Sequence, residues 1–327
     1  MADTRALAPL PGLARGSVVT VGTFDGVHLG HVDVLLRVVA RARPVSLSSV
    51  VVTFDPHPLE VVNPRAAPAL LTVGDEKLEI IAETGVEHVV VVPFTHELSR
   101  LEADDFVALL QRRYSMRELL IGHDHGFGRG RSGDTEVLQA LGARRGFRVE
   151  VVPPVSAGDE RPISSTFIRR ALAGGDLHQS AAALGRLYSV SGRVVRGAQR
   201  GRELGFRTLN LEPPSPRKLL PPEGVYAVRA QTRSGAFGGM MNLGPRPTFG
   251  EEERVLEAHL FDASGDWYAT TVRLDFVARL RDTMRFESPQ ALVEQLRRDE
   301  IAARRALTAS GALRTFYSST GSFTPQQ

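Results

Sequence analysis

The densest cluster of chemically capable residues is a run near the start of the chain, Gly22-Thr23-Phe24-Asp25-Gly26-Val27-His28-Leu29-Gly30-His31. Its His-x-Gly-His core places His28 and His31 side by side where a predicted helix begins. A helix N-terminus presents unpaired N–H groups to an anion. Two added imidazole donors could hold nucleoside triphosphate phosphates during attack at the α-phosphorus, and Gly30 would keep the backbone close to them. The alternative is a turn that carries two surface histidines.

A second segment of interest is rich in glycine. Gly197, Gly201 and Gly205 recur every four residues, which allows the backbone to turn N–H groups toward phosphates. No Gly-Lys-Ser/Thr follows, so this is not a Walker A loop. A Gly-rich hairpin is the ordinary interpretation of the bare pattern. Thr208 and Asn210 alternate on the strand predicted next, so both oxygens point to one side and can share a cation.

Two further segments have both a structural and a functional interpretation. Ser165 or Thr166 is placed to cap a helix, and Arg169 one turn later would add a positive charge for phosphates. A plain cap with a surface arginine is the alternative. In Leu256-Glu257-Ala258-His259-Leu260, strand alternation puts Glu257 on the face opposite Leu256 and Ala258. Taken alone, this pattern favours an exposed glutamate on an edge strand.

The elements that must position these residues change character along the chain. In the first half, β-branched runs alternate with helical patterns, which favours a parallel sheet with helices on both faces. The predicted strands are Val18–Gly22, Ser49–Phe54, His88–Phe94, Glu118–Gly122 and Arg148–Pro153. The predicted inward helix residues are Val32, Leu35, Leu36, Val39, Phe106, Leu109, Leu110, Val137, Leu138 and Leu141. Ligands on such sheets bind beyond the carboxyl ends of the strands.

Short alternating strands broken by Gly and Pro replace this pattern from Tyr188 to Phe276, as in a small antiparallel barrel. A helix is predicted from about Pro289 to Leu307, with Leu292, Leu296 and Ile301 facing inward. We therefore predict an α/β chain with domains at 1–185 and 186–317. The last residues, 318–327, bury little and are predicted to be a disordered tail.

The composition excludes several classes of protein. The 327 residues include no cysteine, so disulfides and thiolate metal sites are ruled out, and a cytoplasmic location is expected. No run approaches the length of a membrane span, and the first residues are not typical of a signal peptide. A net charge of +3 gives no reason to expect nucleic acid as a partner. The oligomeric state is left open.

The ten-residue run, together with Thr53-Phe54-Asp55-Pro56-His57-Pro58, resembles the prokaryotic bifunctional riboflavin kinase/FMN adenylyltransferase family. The resemblance extends from about residue 16 to residue 300. It implies a nucleotidyltransferase-type sheet followed by a riboflavin kinase barrel with a terminal helix. It further implies that riboflavin is phosphorylated to FMN and FMN is adenylated to FAD, with ATP as co-substrate and Mg²⁺ as cofactor.

The resemblance also assigns roles to residues. Glu257 would be the base for the riboflavin 5′-hydroxyl, His28 and His31 would act on the ATP phosphates, and Thr208 and Asn210 would hold the metal. The expected ATP-binding residues are Gly22, Phe24, Gly30, Ser165, Thr166, Arg169, Gly197, Gly201 and Gly205. The expected flavin-binding residues are Phe54, His57, Asp124, Arg281 and Phe286.

Ala269 stands where the family usually has Gly, and three positions in the predicted site segments also depart from the family pattern. His125 replaces an aromatic residue, while Arg207 and Leu209 replace the Pro and Ala of Gly-Phe-Pro-Thr-Ala-Asn. Losing the proline loosens the approach to the strand, so a weaker kinase is one expectation. Two alternatives follow: a divergent paralogue acting on a flavin analogue or another nucleotide, and a flavin-binding protein without catalysis.

Overall fold

The computed structural model describes residues 10, 13, 15–123, 126–156, 162–196, 206–213, 215–245 and 254–310. The chain divides into two compact units. Unit 1 comprises the described residues of Met1–Ala69 and Asp75–Ser164, and unit 2 those of Leu70–Gly74 and Ser165–Ser318. This grouping places residues 165–184 in unit 2, whereas the sequence analysis placed them in the first domain. The domain boundary at residue 185 stays a prediction. The predicted tail, 318–327, lies outside the described residues.

Unit 1 is built on five parallel strands in the order β3-β2-β1-β4-β5. They are β1 (Ser17–Val21), β2 (Ser48–Asp55), β3 (His88–Pro93), β4 (Met116–Gly122) and β5 (Arg148–Val152). Both faces of the sheet are covered, because Val18 packs with residues of one helical layer and Val19 with those of another. This explains why the strands read as continuous β-branched runs. The predicted parallel sheet with helices is confirmed.

Six α-helices surround this sheet in the described part of unit 1. They are α1 (Leu29–Ala42), α2 (Pro58–Val62), α3 (Asp75–Ala82), α4 (His96–Ser99), α5 (Ala103–Tyr114) and α6 (Thr135–Arg145). The predicted inward faces of α1, α5 and α6 are mostly buried, but the predictions for two residues are wrong. Leu36 is 48% exposed and Val137 is 39% exposed. Leu36 follows the buried Leu35, and Val137 precedes the buried Leu138. Adjacent residues lie about 100° apart around a helix, so both side chains fall outside the core-facing stripe.

Unit 2 contains two helices, α7 (Ser165–Ala173) and α8 (Leu177–Leu184), followed by a closed antiparallel barrel. The barrel strands follow the order β10-β7-β6-β11-β8-β9. They are β6 (Ser189–Val195), β7 (Leu209–Glu212), β8 (Gly224–Thr232), β9 (Gly235–Pro245), β10 (Arg254–Leu260) and β11 (Thr271–Arg281). The predicted barrel is confirmed.

The last described helix, α9 (Pro289–Ala309), covers part of the outer face of the barrel. Ala303 is fully buried against Ala227, Met240 and Phe261, and Leu296 packs against the same cluster. The prediction that Ile301 faces inward is wrong, since its side chain is 54% exposed. Among the described residues, no helix has both the length and the apolar character needed to cross a membrane.

Candidate functional site

The connection between β1 and α1 has an unusual backbone. Phe24 and Val27 both have positive φ, 47° and 39°, although neither is glycine. Both side chains are buried in the same apolar cluster, which offsets the strain of that conformation. A Cβ at Gly22 would lie 3.1 Å from the Phe24 ring, so glycine leaves the space that this ring occupies. Phe24, predicted to bind ATP, is therefore a core residue whose ring edge meets His31.

His28 and His31 are brought together at the first turn of α1. Their rings stack with centroids 3.6 Å apart and an interplanar angle of 18°. His28 is the N-cap of the helix, and its Nδ1 accepts a hydrogen bond from the His31 backbone N–H at 3.4 Å. Because Nδ1 accepts, the neutral ring carries its proton on Nε2. The predicted imidazole pair at a helix start is thus present, with one ring held in a defined tautomer.

Gly30 has a neighbour that the sequence did not reveal. A Cβ at this position would come within 3.3 Å of the His28 imidazole. A side chain there would require the ring to shift by a few tenths of an ångström. Glycine at this position thus leaves room for the His28 ring, in addition to the predicted close approach of phosphates.

Lys77 on α3 was not predicted as a site residue; it binds the end of β2, which is linked through Thr53 to the segment that follows β1. Its Nζ donates to the Phe54 carbonyl at 3.0 Å and to Thr53 Oγ1 at 3.2 Å. Thr53 Oγ1 in turn donates to the Thr23 carbonyl at 3.2 Å, inside the ten-residue run. Burial lowers the pKa of the Lys77 ammonium, an effect that the carboxylates of Asp55 and Asp25 oppose. The only sequence signal was rarity, because Lys77 and Lys218 are the only lysines among 40 basic residues.

The residues predicted to lie beside the flavin in unit 1 have structural partners. Phe54 is buried in the core and meets Phe94 edge to face at 5.3 Å between centroids. His57 caps α2, where its Nδ1 accepts from the Leu59 N–H at 3.2 Å. Asp124 and His125 lie outside the described residues. Flavin binding by Phe54, His57 and Asp124 stays a prediction.

Helix α7 begins at Ser165, so Ser165 and Thr166 are its first two helical residues. The expected cap would precede the helix, and neither residue does. Ile168 and Leu172 form its buried side. Ser165, Thr166 and Arg169 belong to unit 2, whereas the histidine pair belongs to unit 1. Their predicted part in ATP binding stays a prediction.

Three strands of the barrel bring polar side chains into one row. Glu257 on β10 stands directly opposite Asn210 on β7 and, on its other side, opposite Asn242 on β9. Directly paired residues of neighbouring strands point to the same face. Leu256 and Ala258 are fully buried, so they occupy the interior face and Glu257 the outer face, as predicted. Asn242 was not predicted as a site residue.

A hydrogen bond beside this row joins Glu257 to Thr208, the residue that immediately precedes β7. Thr208 Oγ1 donates to Glu257 Oε1 at 2.5 Å. This bond orients one carboxylate oxygen and brings the predicted metal ligand next to the predicted base. The hydroxyl, amide and carboxylate oxygens of Thr208, Asn210 and Glu257 are hard ligands of the kind that Mg²⁺ prefers. Within the described ranges, no cluster of three or more His, Asp or Glu side chains could hold a metal alone.

The other predicted ligand residues of the barrel differ in what can be said of them. Gly197, Gly201 and Gly205 lie outside the described residues. Arg281 forms a close ion pair with Asp299 of α9, its Nη2 lying 2.6 Å from a carboxylate oxygen that is almost fully buried. The Arg281 guanidinium also lies 6.0 Å from the Phe286 ring centroid. The ion pair between Arg281 and Asp299 links β11 to α9. Flavin binding by Arg281 and Phe286 stays a prediction.

Comparison with known proteins matches the two parts of the chain to two different family models. Residues 11–167 match the FAD synthetase family model, and residues 184–307 match the riboflavin kinase family model. Similar curated proteins include the bifunctional riboflavin kinase/FMN adenylyltransferases of Escherichia coli K12 and Pseudomonas fluorescens. The first is 38% identical over 89% of this chain and 92% of its own length. The second is 38% identical over 92% of this chain and 96% of its own length.

A solved structure with a similar fold is described as a macrolide-efflux protein from Streptococcus pneumoniae. It is 32% identical and superposes with a TM-score of 0.79, covering 88% of this chain and 94% of the pneumococcal one. Both units of the fold therefore recur together in a solved relative.

Proposed function

The chain belongs to the bifunctional riboflavin kinase/FMN adenylyltransferase family, and we propose that each unit contributes the reacting groups for one of its two reactions. The enzyme phosphorylates riboflavin to FMN and adenylates FMN to FAD, with ATP as co-substrate. The proposal assigns adenylyl transfer to His28 and His31 and phosphoryl transfer to Glu257. The observation that carries the kinase half of the proposal is the short Thr208–Glu257 contact, because it brings the expected metal ligand and the expected base together in one place.

For adenylyl transfer, the FMN phosphate needs no deprotonation, because it is already anionic at neutral pH. An FMN phosphate oxygen attacks the α-phosphorus of ATP, and pyrophosphate leaves. The Nε2–H of His28 and the ring of His31 are proposed to stabilise charge on the ATP phosphates as it develops. The N–H groups at the start of α1 would add to the same effect. Lys77 is proposed to keep the ends of β1 and β2 in register beneath these groups.

For phosphoryl transfer, the 5′-hydroxyl of riboflavin must lose a proton as it attacks the γ-phosphorus of ATP, from which ADP departs. Glu257 is proposed to accept that proton. The hydrogen bond from Thr208 holds one carboxylate oxygen in place. Asn242, opposite Glu257 on β9, is proposed to support the carboxylate or the flavin chain from the other side.

We also propose that Mg²⁺ accompanies ATP in the barrel, held by Thr208 and Asn210. When bound, the ion would neutralise charge on the transferred phosphoryl group. The small number of protein oxygens suits an ion that keeps several waters and phosphate ligands. A cytoplasmic location is proposed because both reactions consume ATP.

The test is incubation of the purified protein with riboflavin, ATP and Mg²⁺, followed by chromatographic separation of the flavins. FMN and FAD are both expected, and FAD alone when FMN is supplied. Riboflavin analogues, CTP and GTP serve as competing substrates for the paralogue alternative. Clear preference for an analogue or another nucleotide would contradict the assignment, and so would the absence of both products.

A further inference from the structure

The three residues that lead into β7 are held at three separate points. Phe206 is buried in the cluster beneath α9. The Thr208 hydroxyl is bonded to Glu257. Between them, the carbonyl oxygen of Arg207 lies 2.7 Å from Nδ1 of His259. This contact is made by the backbone of Arg207, and the Arg207 side chain is exposed.

The partner of His259 determines the chemistry of its ring. A backbone carbonyl can only accept a hydrogen bond, so Nδ1 must carry the proton. The same N–H exists in the imidazolium form, and the contact therefore survives protonation. The ring makes edge-to-face contacts with Phe206 and Phe261, whose centroids are 5.2 and 5.8 Å away. Aromatic packing and one hydrogen bond together fix the orientation of the imidazole.

His259 and Glu257 are two residues apart on β10 and therefore point to the same face. Strand β10 thus binds the segment that leads into β7 at two points, the Arg207 carbonyl and the Thr208 hydroxyl. Because these two atoms belong to adjacent residues, fixing the first limits where the second can lie. Loss of the His259 bond would let the Thr208 hydroxyl move away from the carboxylate.

We propose that His259 is a positioning residue for riboflavin phosphorylation: its Nδ1–H holds the Arg207 carbonyl so that Thr208 reaches Glu257. The proposal rests on the assignment of Glu257 as the base. His259 acts through the backbone and through Thr208, not on the reacting atoms. Its effect should therefore appear in the kinase reaction alone, with no change in the pH at which that reaction is half-maximal.

Three substitutions separate the hydrogen bond from the packing. His259→Phe keeps an aromatic ring but has no donor. His259→Asn loses the ring but places an amide N–H close to the position of Nδ1, whereas His259→Gln places it near Nε2. Each variant is assayed for kcat and KM of FMN formation, for its kinase pH profile and for thermal unfolding. FAD formation from supplied FMN, measured in the same preparation, is the internal control.

We expect the Phe and Gln variants to lower kcat/KM for FMN formation about tenfold, as for the loss of one well-oriented hydrogen bond. The Asn variant should recover most of this loss, and FAD formation should stay within about twofold of wild type throughout. The proposal is overturned if the Phe variant phosphorylates riboflavin like wild type, if Asn is no better than Phe, or if kinase loss merely follows a lower unfolding temperature.

A Glu257→Gln variant separates a failure of the proposed His259 role from a failure of the assignment of Glu257 as the base. If that variant keeps its kinase activity, the assignment of the base is wrong. If it loses the activity while His259→Phe keeps it, only the positioning role is wrong.

Discussion

Replacing Glu257 by Gln is the most decisive perturbation of the barrel site. Gln has the same shape and keeps an oxygen that can accept from Thr208, so the 2.5 Å contact is weakened but not removed. Exchanging a charge-assisted hydrogen bond for a neutral one costs about 1 kcal/mol. This corresponds to about fivefold in rate if the whole cost falls on the transition state.

Losing a general base has a much larger effect. Such groups contribute about 10²–10⁴-fold, or about 3–5 kcal/mol of barrier. If Glu257 accepts the hydroxyl proton, FMN formation in the Gln variant should fall by at least 100-fold. FAD formation from supplied FMN should be unchanged. The two explanations therefore predict losses that differ by more than an order of magnitude.

The assay is an initial-rate measurement of FMN from riboflavin and of FAD from FMN on one preparation. Glu294→Gln provides a matched control, because Glu294 is an exposed carboxylate on α9. It should leave both rates within about twofold of wild type. A Glu257→Gln variant that loses less than tenfold would refute the base assignment. Joint loss of both reactions would refute the independence of the two sites.

Three other predictions concern unit 1. His31→Ala should lower FAD formation from FMN by about 10²–10³-fold while FMN formation persists, because it removes a donor to developing phosphate charge; equal loss of both products would contradict this. Lys77→Met should lower FAD formation at least tenfold, since the bonds to Thr53 and Phe54 are lost; unchanged FAD kinetics would show that Lys77 has no role. Tyr114→Phe should not destabilise at pH 7.5, because the buried Tyr114 hydroxyl has no hydrogen-bond partner among the described residues. Burial raises the pKa of Tyr114 to about 12, so the stability from this group is complete below the unfolded pKa of about 10 and is lost as pH rises through 12. Urea denaturation should therefore show Phe gaining ~1.4 kcal/mol more over wild type at pH 11 than at pH 7.5, and an equal difference at both pH values would contradict it.

The parallel sheet of unit 1 could be predicted almost residue by residue, because its strands are buried on both faces. The predicted strands begin within two residues of the observed ones. Helix faces were predicted less well. Leu36, Val137 and Ile301 are apolar residues at nearly helical spacing, and sequence alone does not show where the core-facing stripe ends.

The site residues could be predicted by type but not by contact. His28 and His31 are close in sequence, so a helix turn suffices to bring them together. Thr208 and Glu257 are 49 residues apart, and only the register between β7 and β10 joins them. Lys77 lies on a helix outside every motif, and its partners are a backbone carbonyl and a threonine. Such contacts depend on tertiary packing, which leaves no local pattern in the sequence.

The two departures from the family pattern at the barrel site meet residues of β10 that accommodate them. Leu209 stands directly opposite Ala258, so the bulkier side chain faces the smallest side chain on that strand. A proline at position 207 would fix the backbone φ angle there; in this chain the Arg207 carbonyl lies 2.7 Å from Nδ1 of His259. Neither substitution separates Thr208 from Glu257. The structural reason for expecting a weaker kinase, a loosened approach to β7, therefore depends on whether the His259 bond holds during turnover.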